Sequence, residues 1–179
     1  AFKVREVQRN GSTWALSPYL RDSVFVNAKY RNPDDKKGMG QEPDAEPCLF
    51  GWHLVQPKER TIVICEGEID AMTVWQAGIT ALSVNAGAGN HQWIENDWEK
   101  LERFSEIVIS FDHDEAGDKG ATEVMKRLGV ERCKRMKMGA KDANQWLMDG
   151  ATPEDFKAAV INAKSQDPDE MKSANEFID

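Results

Sequence analysis

The sequence lacks the features that would tie it to a membrane, a secretory route or a zinc fold. No apolar run approaches the roughly 20 residues of a membrane span. The opening stretch, AFKVREVQRN, carries charge where a signal peptide would be apolar. Cysteine is sparse: Cys48, Cys65 and Cys133 lie far apart, no pair has zinc-finger spacing, and an odd count gives no disulfide framework. A reducing cytoplasm is expected. Positive charge is also in deficit, with 23 Lys and Arg against 31 Asp and Glu for a net charge of −8. That balance argues against a generic nucleic-acid-binding surface.

The deficit is uneven. Residues 1–37 hold eight basic side chains (Lys3, Arg5, Arg9, Arg21, Lys29, Arg31, Lys36, Lys37) against four acidic ones (Glu6, Asp22, Asp34, Asp35), a surplus of four that leaves −12 for the remainder. The pattern suggests a basic front segment on an acidic body. A chain of 179 residues suits one large domain or two small ones packed together.

The front segment contains FKVREV, STWALS and SVFVNAKYR, short and partly alternating runs that predict strands, with Asn10-Gly11 as a hairpin turn. Residues 32–47 are polar and rich in Gly and Pro, which predicts a loop. From Thr61 the pattern alternates between strand and helix. TIVICEG, TALSVN, EIVISFD and the weaker CKRMKM read as strands. Residues 69–77, 93–104 and 116–128 read as helices, the second through Ile94, Trp98 and Leu101, the third through Ala121, Val124 and Leu128. Thr152-Pro153-Glu154-Asp155 starts a last helix, with a capping hydroxyl, proline in the first turn and acids at the positive dipole end. The alternation predicts an α/β fold: a parallel sheet flanked by helices, behind a small, mainly β, basic subdomain. The expected division is 1–58 for the front subdomain, 59–164 for the α/β domain and 165–179 for a linker or tail.

Two of these strands end abruptly in carboxylates. Asp112 and Asp114 lie two residues apart, so on a persisting strand both side chains point to one side and His113 points away. Two unit charges about 4 Å apart repel by roughly 4 kcal/mol at an effective dielectric near 20. Glu66 at the end of the other strand adds to this, so either a proton is shared or a hard cation neutralises the cluster. Oxygen-only ligands point to Mg²⁺ or Mn²⁺. Gly67 lets the backbone come close to a ligand, and Asp70, one helical turn on, supports the ligands from behind. Glu68 is expected to face solvent. Asp142, after the fourth strand, suits the same rim, and Lys141 beside it suits a phosphate. Gly87 and Gly89 lie in a loop whose amides can meet phosphate oxygens. His91 and His113 are not expected to be ligands. Most of the six Trp are expected in the core, while Trp14 in the basic segment is a candidate to stack on a base.

The motifs EGEID (66–70), SFDHDEAG (110–117) and KDAN (141–144), in this order on alternating strands and helices, resemble the Toprim domain of bacterial-type primases, topoisomerases and certain nucleases. CLFGWHL (48–54) and the Trp-Leu turn after KDAN narrow the resemblance to the primase half of bacteriophage primase–helicases and their mitochondrial relatives. The resemblance implies a DNA primase core that makes short RNA primers on a single-stranded DNA template from nucleoside triphosphates. It implies Glu66 as metal ligand or general base, Asp112 and Asp114 as the paired metal aspartates, and Asp142 as a further acidic position. It gives Lys29 and Arg31 to nucleotide phosphates or template. It also implies a bacterial or phage-infected host and a replicative helicase in the same or another chain. No Cys-rich zinc module and no GxxxxGK[ST] phosphate loop occur in these 179 residues. An isolated core of a larger protein, or a reduced relative, is therefore expected. The alternatives are a Toprim metal-dependent nuclease and a non-catalytic nucleic-acid-binding module. Topoisomerase chemistry needs a nucleophilic tyrosine, and Tyr19 and Tyr30 both lie in the front segment.

Overall fold

The computed structural model describes residues 1–35 and 38–165 and divides them between two four-stranded sheets. The front sheet is an antiparallel meander, β1 (Arg5–Arg9), β2 (Ser12–Arg21), β3 (Val24–Arg31) and β4 (Met39–Gln41), in that spatial order. Asn10-Gly11 turns β1 into β2, as the sequence predicts, with both residues at positive φ. Asp22 and Ser23, also at positive φ, turn β2 into β3. The stretch 32–47, expected as loop throughout, contains β4, which adds an edge strand through Lys29–Gln41 and Arg31–Met39 pairing.

The body sheet is parallel, built from β5 (Thr61–Cys65), β6 (Ala81–Ser83), β7 (Glu106–Ser110) and β8 (Cys133–Arg135) in the order β6-β5-β7-β8. Helices α1 (Glu68–Gln76), α4 (Ala143–Met148) and α5 (Pro153–Ile161) contribute to one core layer; α2 (Gln92–Leu101) and α3 (Glu115–Leu128) contribute to the other. Both faces are covered, which is why residues 62–65 are apolar at every position: Ile62 and Ile64 enter one layer, Val63 and Cys65 the other. Thr152 and Asp155 form the reciprocal cap of α5.

Residues 48–55 serve both sheets. Phe50 bridges to Ser83 at the sheet edge, and Leu49 and Trp52 enter the body core. Cys48 and Phe50 pack with Phe2 and Tyr19 of the front segment. The same seam holds Asp97, fully buried on α2, which accepts from the Leu49 N–H at 2.6 Å and the Trp52 indole at 2.8 Å. Its other oxygen lies 3.4 Å from the Arg21 guanidinium, an electrostatic contact without hydrogen-bond geometry. The α2 stripe is thus Trp93, Ile94, Asp97 and Leu101 rather than the expected Ile94, Trp98 and Leu101. Trp98 points outward because Asp97 takes the inward position. Trp75 is likewise exposed, and of the six Trp only Trp52 and Trp93 are buried.

Among the described residues no helix is long and apolar enough to cross a membrane. The expected tail lies, apart from Ser165, outside the described residues.

Candidate active site

Strand order fixes where a site can form. From the central strand β5 the chain moves to β6 on one side and then crosses to β7 on the other, so a crevice opens between the carboxyl ends of β5 and β7. Glu66 follows β5 and Asp112 follows β7, and the Asp112 N–H donates to Glu66 Oε2 at 3.2 Å. A cleft of about 510 Å³ lies above them, lined on the body side by Glu66, Gly67, Asp70, Asn85, Ala86, Gly87 and Asp112. Lys29 and Met39, Gly40 and Gln41 of the front sheet form its other wall. The front sheet therefore does fold back over the acidic rim.

Asp112 and Asp114 come together, but not through strand pleating. β7 ends at Ser110, and Asp114 is the N-cap of α3, its Oδ1 accepting from the Gly117 N–H at 2.9 Å. Lys141 joins the two carboxylates: its ammonium lies 3.3 Å from Asp112 Oδ2 and 3.0 Å from Asp114 Oδ2. The tight turn depends on glycine. A Cβ at Gly117 would stand 2.1 Å from the Asp112 carbonyl oxygen, and one at Gly120 would stand 2.5 Å from the Ala88 carbonyl oxygen. These two positions let α3 press against both the Asp112 turn and the loop that carries Gly87. His113 points away from the rim, its Nε2 3.3 Å from the Met136 carbonyl oxygen.

The electrostatics differ from residue to residue. Burial, then the neighbouring Asp112 charge, raises the Glu66 pKa, with the N–H groups of Asp112 and Ala88 pulling the other way. Burial raises Asp112 as well, although Lys141 opposes it. Burial pushes Asp70 up to about 6 against the Asn144 N–H, which donates to it at 3.0 Å. Asp114 is held below the usual range by the Gly117 N–H and then by Lys141. Lys141 is raised to about 12 by Asp114 and Asp112. Asp142 caps α4, accepting from the Gln145 N–H at 2.7 Å, and its charge is felt at both Asp70 and Asp112.

Among the described residues no three His, Cys, Asp or Glu side chains are grouped closely enough to hold a metal ion as they stand. The donor chemistry nevertheless fits a hard divalent cation. Glu66, Asp112 and Asp114 offer only oxygen, a cation already occupies part of their field, and Asn85 presents a buried side-chain oxygen with no hydrogen-bond partner at the same cleft.

Several positions differ from the sequence reading. Glu68 is not a solvent-facing residue: its side chain is 13% exposed, accepts from the Tyr19 hydroxyl and pairs with Lys29 at 2.9 Å. The front sheet folds onto α1 there, and no local pattern announces it. Lys29 thus lines the cleft while bound to a carboxylate. Arg31 is exposed at the end of β3, away from the rim, and lines an apolar groove with Tyr30, Met39 and Ile69. Trp14 meets the Arg9 guanidinium 5.9 Å from its ring centroid.

Sequence reasoning also missed Arg135. Its guanidinium donates to the carbonyl oxygens of Ile109 (3.3 Å), Phe111 (2.9 Å) and Asp112 (3.0 Å) and to Asp118 at 3.0 Å. One side chain therefore pins the turn that carries Asp112. An arginine in a weak fourth strand gives no signal of this, since its partners are backbone atoms.

A parallel sheet with an acidic rim, faced across a cleft by a small antiparallel sheet, defines the Toprim class of primase catalytic cores. The chain belongs to the Toprim-like family, whose model matches residues 63–147. A Twinkle homologue of Arabidopsis thaliana is 30% identical over 90% of this chain and 25% of its own length. A DNA helicase/primase of Enterobacteria phage T3 is 31% identical over 86% of this chain and 27% of its own. The primase domain of bacteriophage T7, solved with a lagging-strand DNA polymerase, an RNA/DNA hybrid and dTTP, superposes with a TM-score of 0.81 at 25% identity. That match covers 92% of this chain and 85% of the other. The chain spans about a quarter to a half of the length of three curated relatives it matches, and 85% of a fourth, the Gene 57 protein of Mycobacterium phage D29, at 32% identity.

Proposed function

We propose that this chain is the catalytic core of a DNA primase, joining nucleoside triphosphates into short RNA primers on a single-stranded DNA template. The observation that carries the reading is the cleft: the carboxylates of Glu66 and Asp112 form one wall and Lys29 forms part of the other. Such a cleft suits a triphosphate that needs cations on both sides.

Glu66, Asp112 and Asp114, with Asp142 nearby, are the residues that would hold Mg²⁺ or Mn²⁺. When bound, the ion neutralises the triphosphate and lowers the cost of forming the attacking alkoxide. In the reaction a primer 3′-hydroxyl attacks the α-phosphorus of an incoming nucleotide, the new P–O bond forms, and pyrophosphate leaves. Glu66, half-buried and with its proton affinity raised, is placed to accept the hydroxyl proton. Lys29, Lys141 and the loop around Gly87, where a positive φ turns the backbone toward Glu66, serve the phosphates. Arg31 is offered to template rather than to the reacting phosphates, given its place at the sheet edge. Gly67 and Asp70 support the rim: a Cβ at Gly67 would stand 2.9 Å from Asp70 Oδ2, so a larger residue would displace that carboxylate.

The core is proposed to act in the cytoplasm of a bacterium or phage-infected host, beside a replicative helicase. Support comes from the phage relative that carries both names and exceeds this chain in length. The test is dinucleotide synthesis on single-stranded DNA with Mg²⁺ or Mn²⁺. Asp112→Ala and Asp114→Ala should each reduce it by at least about a hundredfold, since even groups that only orient metal ligands are worth 10- to 100-fold. Synthesis that survives both substitutions overturns the assignment. Nicking of plasmid DNA without added nucleotides would favour a nuclease instead.

A further inference from the structure

We propose that Lys141 is the resident counter-cation of the Asp112–Asp114 pair, which an entering divalent ion must displace, and that the displaced ammonium is then free for a triphosphate. Metal loading would therefore come before nucleotide binding and strengthen it. The inference rests on the reading of the acidic rim as a metal site.

Geometry shows why Lys141 is suited to leave. Its ammonium contacts both carboxylates, yet its side chain is 57% exposed, against 23% for Asp112 and 42% for Asp114. A long arm already in water loses little solvation by swinging out, and a single exposed positive charge competes poorly with a divalent ion for two carboxylates. Only the side chain has to move. The Lys141 carbonyl accepts from the His113 N–H at 2.7 Å, and the next residue, Asp142, caps α4, so the backbone stays fixed to the turn that carries the aspartates. Arg135 is the contrast: its side chain is 12% exposed, its donors are spent on three carbonyl oxygens and Asp118, and it cannot exchange places with an ion.

Asp112 belongs both to the Lys141 pair and to the cleft lining, so an ion taken up there releases the ammonium at the edge of the cleft. A ligand that frees a group for a second ligand is coupled to it, and the coupling is reciprocal.

The experiment is calorimetric titration of the chain with MgCl₂, then with ATP at saturating Mg²⁺ and without template, for the wild type, Lys141→Met, Lys141→Gln and Asp112→Asn. Removing a unit charge about 4 Å from a divalent ion in a water-like medium should tighten Mg²⁺ binding in both Lys141 variants by about thirtyfold at most. The same variants should bind ATP several-fold more weakly at saturating Mg²⁺, while without metal they should bind it no more weakly than the wild type. Mg²⁺ affinity that is unchanged or reduced in both variants overturns the proposal, because Lys141 would then be supporting the ion rather than standing in for it. ATP binding that drops equally with and without metal also overturns it. A wild-type chain whose Mg²⁺ uptake is absent, or is not lost in Asp112→Asn, removes the metal reading itself, a failure distinguishable from the first.

Discussion

At the end of β5, Glu66 and Asp70 have raised pKa values and no ion-pair partner among the described residues, whereas at the end of β7 Asp112 and Asp114 share the ammonium of Lys141. The backbones differ too. The β7 turn is fastened from below by Arg135 and from the side by the glycine contacts of α3; at the β5 turn the carboxylates are met by backbone N–H groups, those of Asp112 and Ala88 for Glu66 and that of Asn144 for Asp70. One half of the rim is balanced and fixed before any ligand arrives, and the other stores uncompensated negative charge. A divalent cation entering between them gains most from the second half and has to compete for the first.

The largest effect expected from breaking this asymmetry is at Arg135. Arg135→Ala takes a donor from the carbonyl oxygens of Phe111 and Asp112, and unsatisfied buried acceptors cost about 1–3 kcal/mol each. A loss of about 3 kcal/mol is expected, or about 6–12 °C in Tm for a chain of this size. Arg135→Lys, a single point donor, should recover less than half of it. Thermal unfolding decides the matter, and an alanine variant that melts like the wild type would show that the guanidinium does not hold the turn.

How far the sequence reveals this arrangement follows from the range of the interactions. Glu66, Asp112 and the strands behind them were legible because apolar β-branched runs ending in carboxylates are local patterns. The helix start at Thr152 was legible for the same reason, since a cap acts within three residues; the caps at Asp114 and Asp142 were passed over because both residues were read as rim carboxylates. Glu68, Asp97 and Arg135 were not. Their partners lie 49, 45 and 23 positions away, at Tyr19, Trp52 and Asp112, and are brought near only by sheet packing. The expectation that Asp112 and Asp114 converge by strand alternation reached the right pair by the wrong route, because β7 stops at Ser110 and a capped helix start plus a lysine does the work. β4 escaped notice because three residues within a Gly- and Pro-rich stretch carry no period; their pairing comes from β3.

Asp70 sharpens the comparison next. Burial pushes its carboxyl up to about 6, above the usual carboxylate range, so the folded state binds the proton more tightly than the unfolded state does. The stabilisation is then fully present below about pH 4 and is lost as pH rises through about 6. Asp70→Asn, which keeps an acceptor for the Asn144 N–H, should leave stability unchanged near pH 4 and raise it above pH 6 by about 2–3 kcal/mol at most, at 1.36 kcal/mol per unit. Denaturant unfolding at pH 4, 6 and 8 measures the slope. Equal gains at all three values would mean that burial of charge is not the cause. Mg²⁺ at pH 8 should narrow the difference between the two proteins if the same field attracts the ion.

The smallest effect expected is at Glu68 of α1, the partner of Lys29 across the cleft, and it tests whether the front wall repeats the logic of the β7 turn. Lys29 faces the cleft but is paired with Glu68 at 2.9 Å, as Lys141 is paired with the aspartates. The difference is burial. Lys29 and Glu68 are only 19% and 13% exposed in their side chains, and Tyr19 adds its hydroxyl to the same carboxylate. Such a pair is anchored in the seam between the sheets and exchanges less readily than an exposed lysine does. Glu68→Gln keeps an acceptor for Tyr19 while removing the charge, so its cost should be about 1.5 kcal/mol, the low end for a contact to a charged group. With its counter-charge gone, Lys29 should also favour an anion, and ATP binding should tighten by less than about fivefold, the water-like limit for one unit charge at about 4 Å. Parallel melting and ATP titration of this variant separate the two roles. A large loss of stability with no gain in ATP affinity would mark Lys29 as a structural cation, leaving Lys141 as the mobile one.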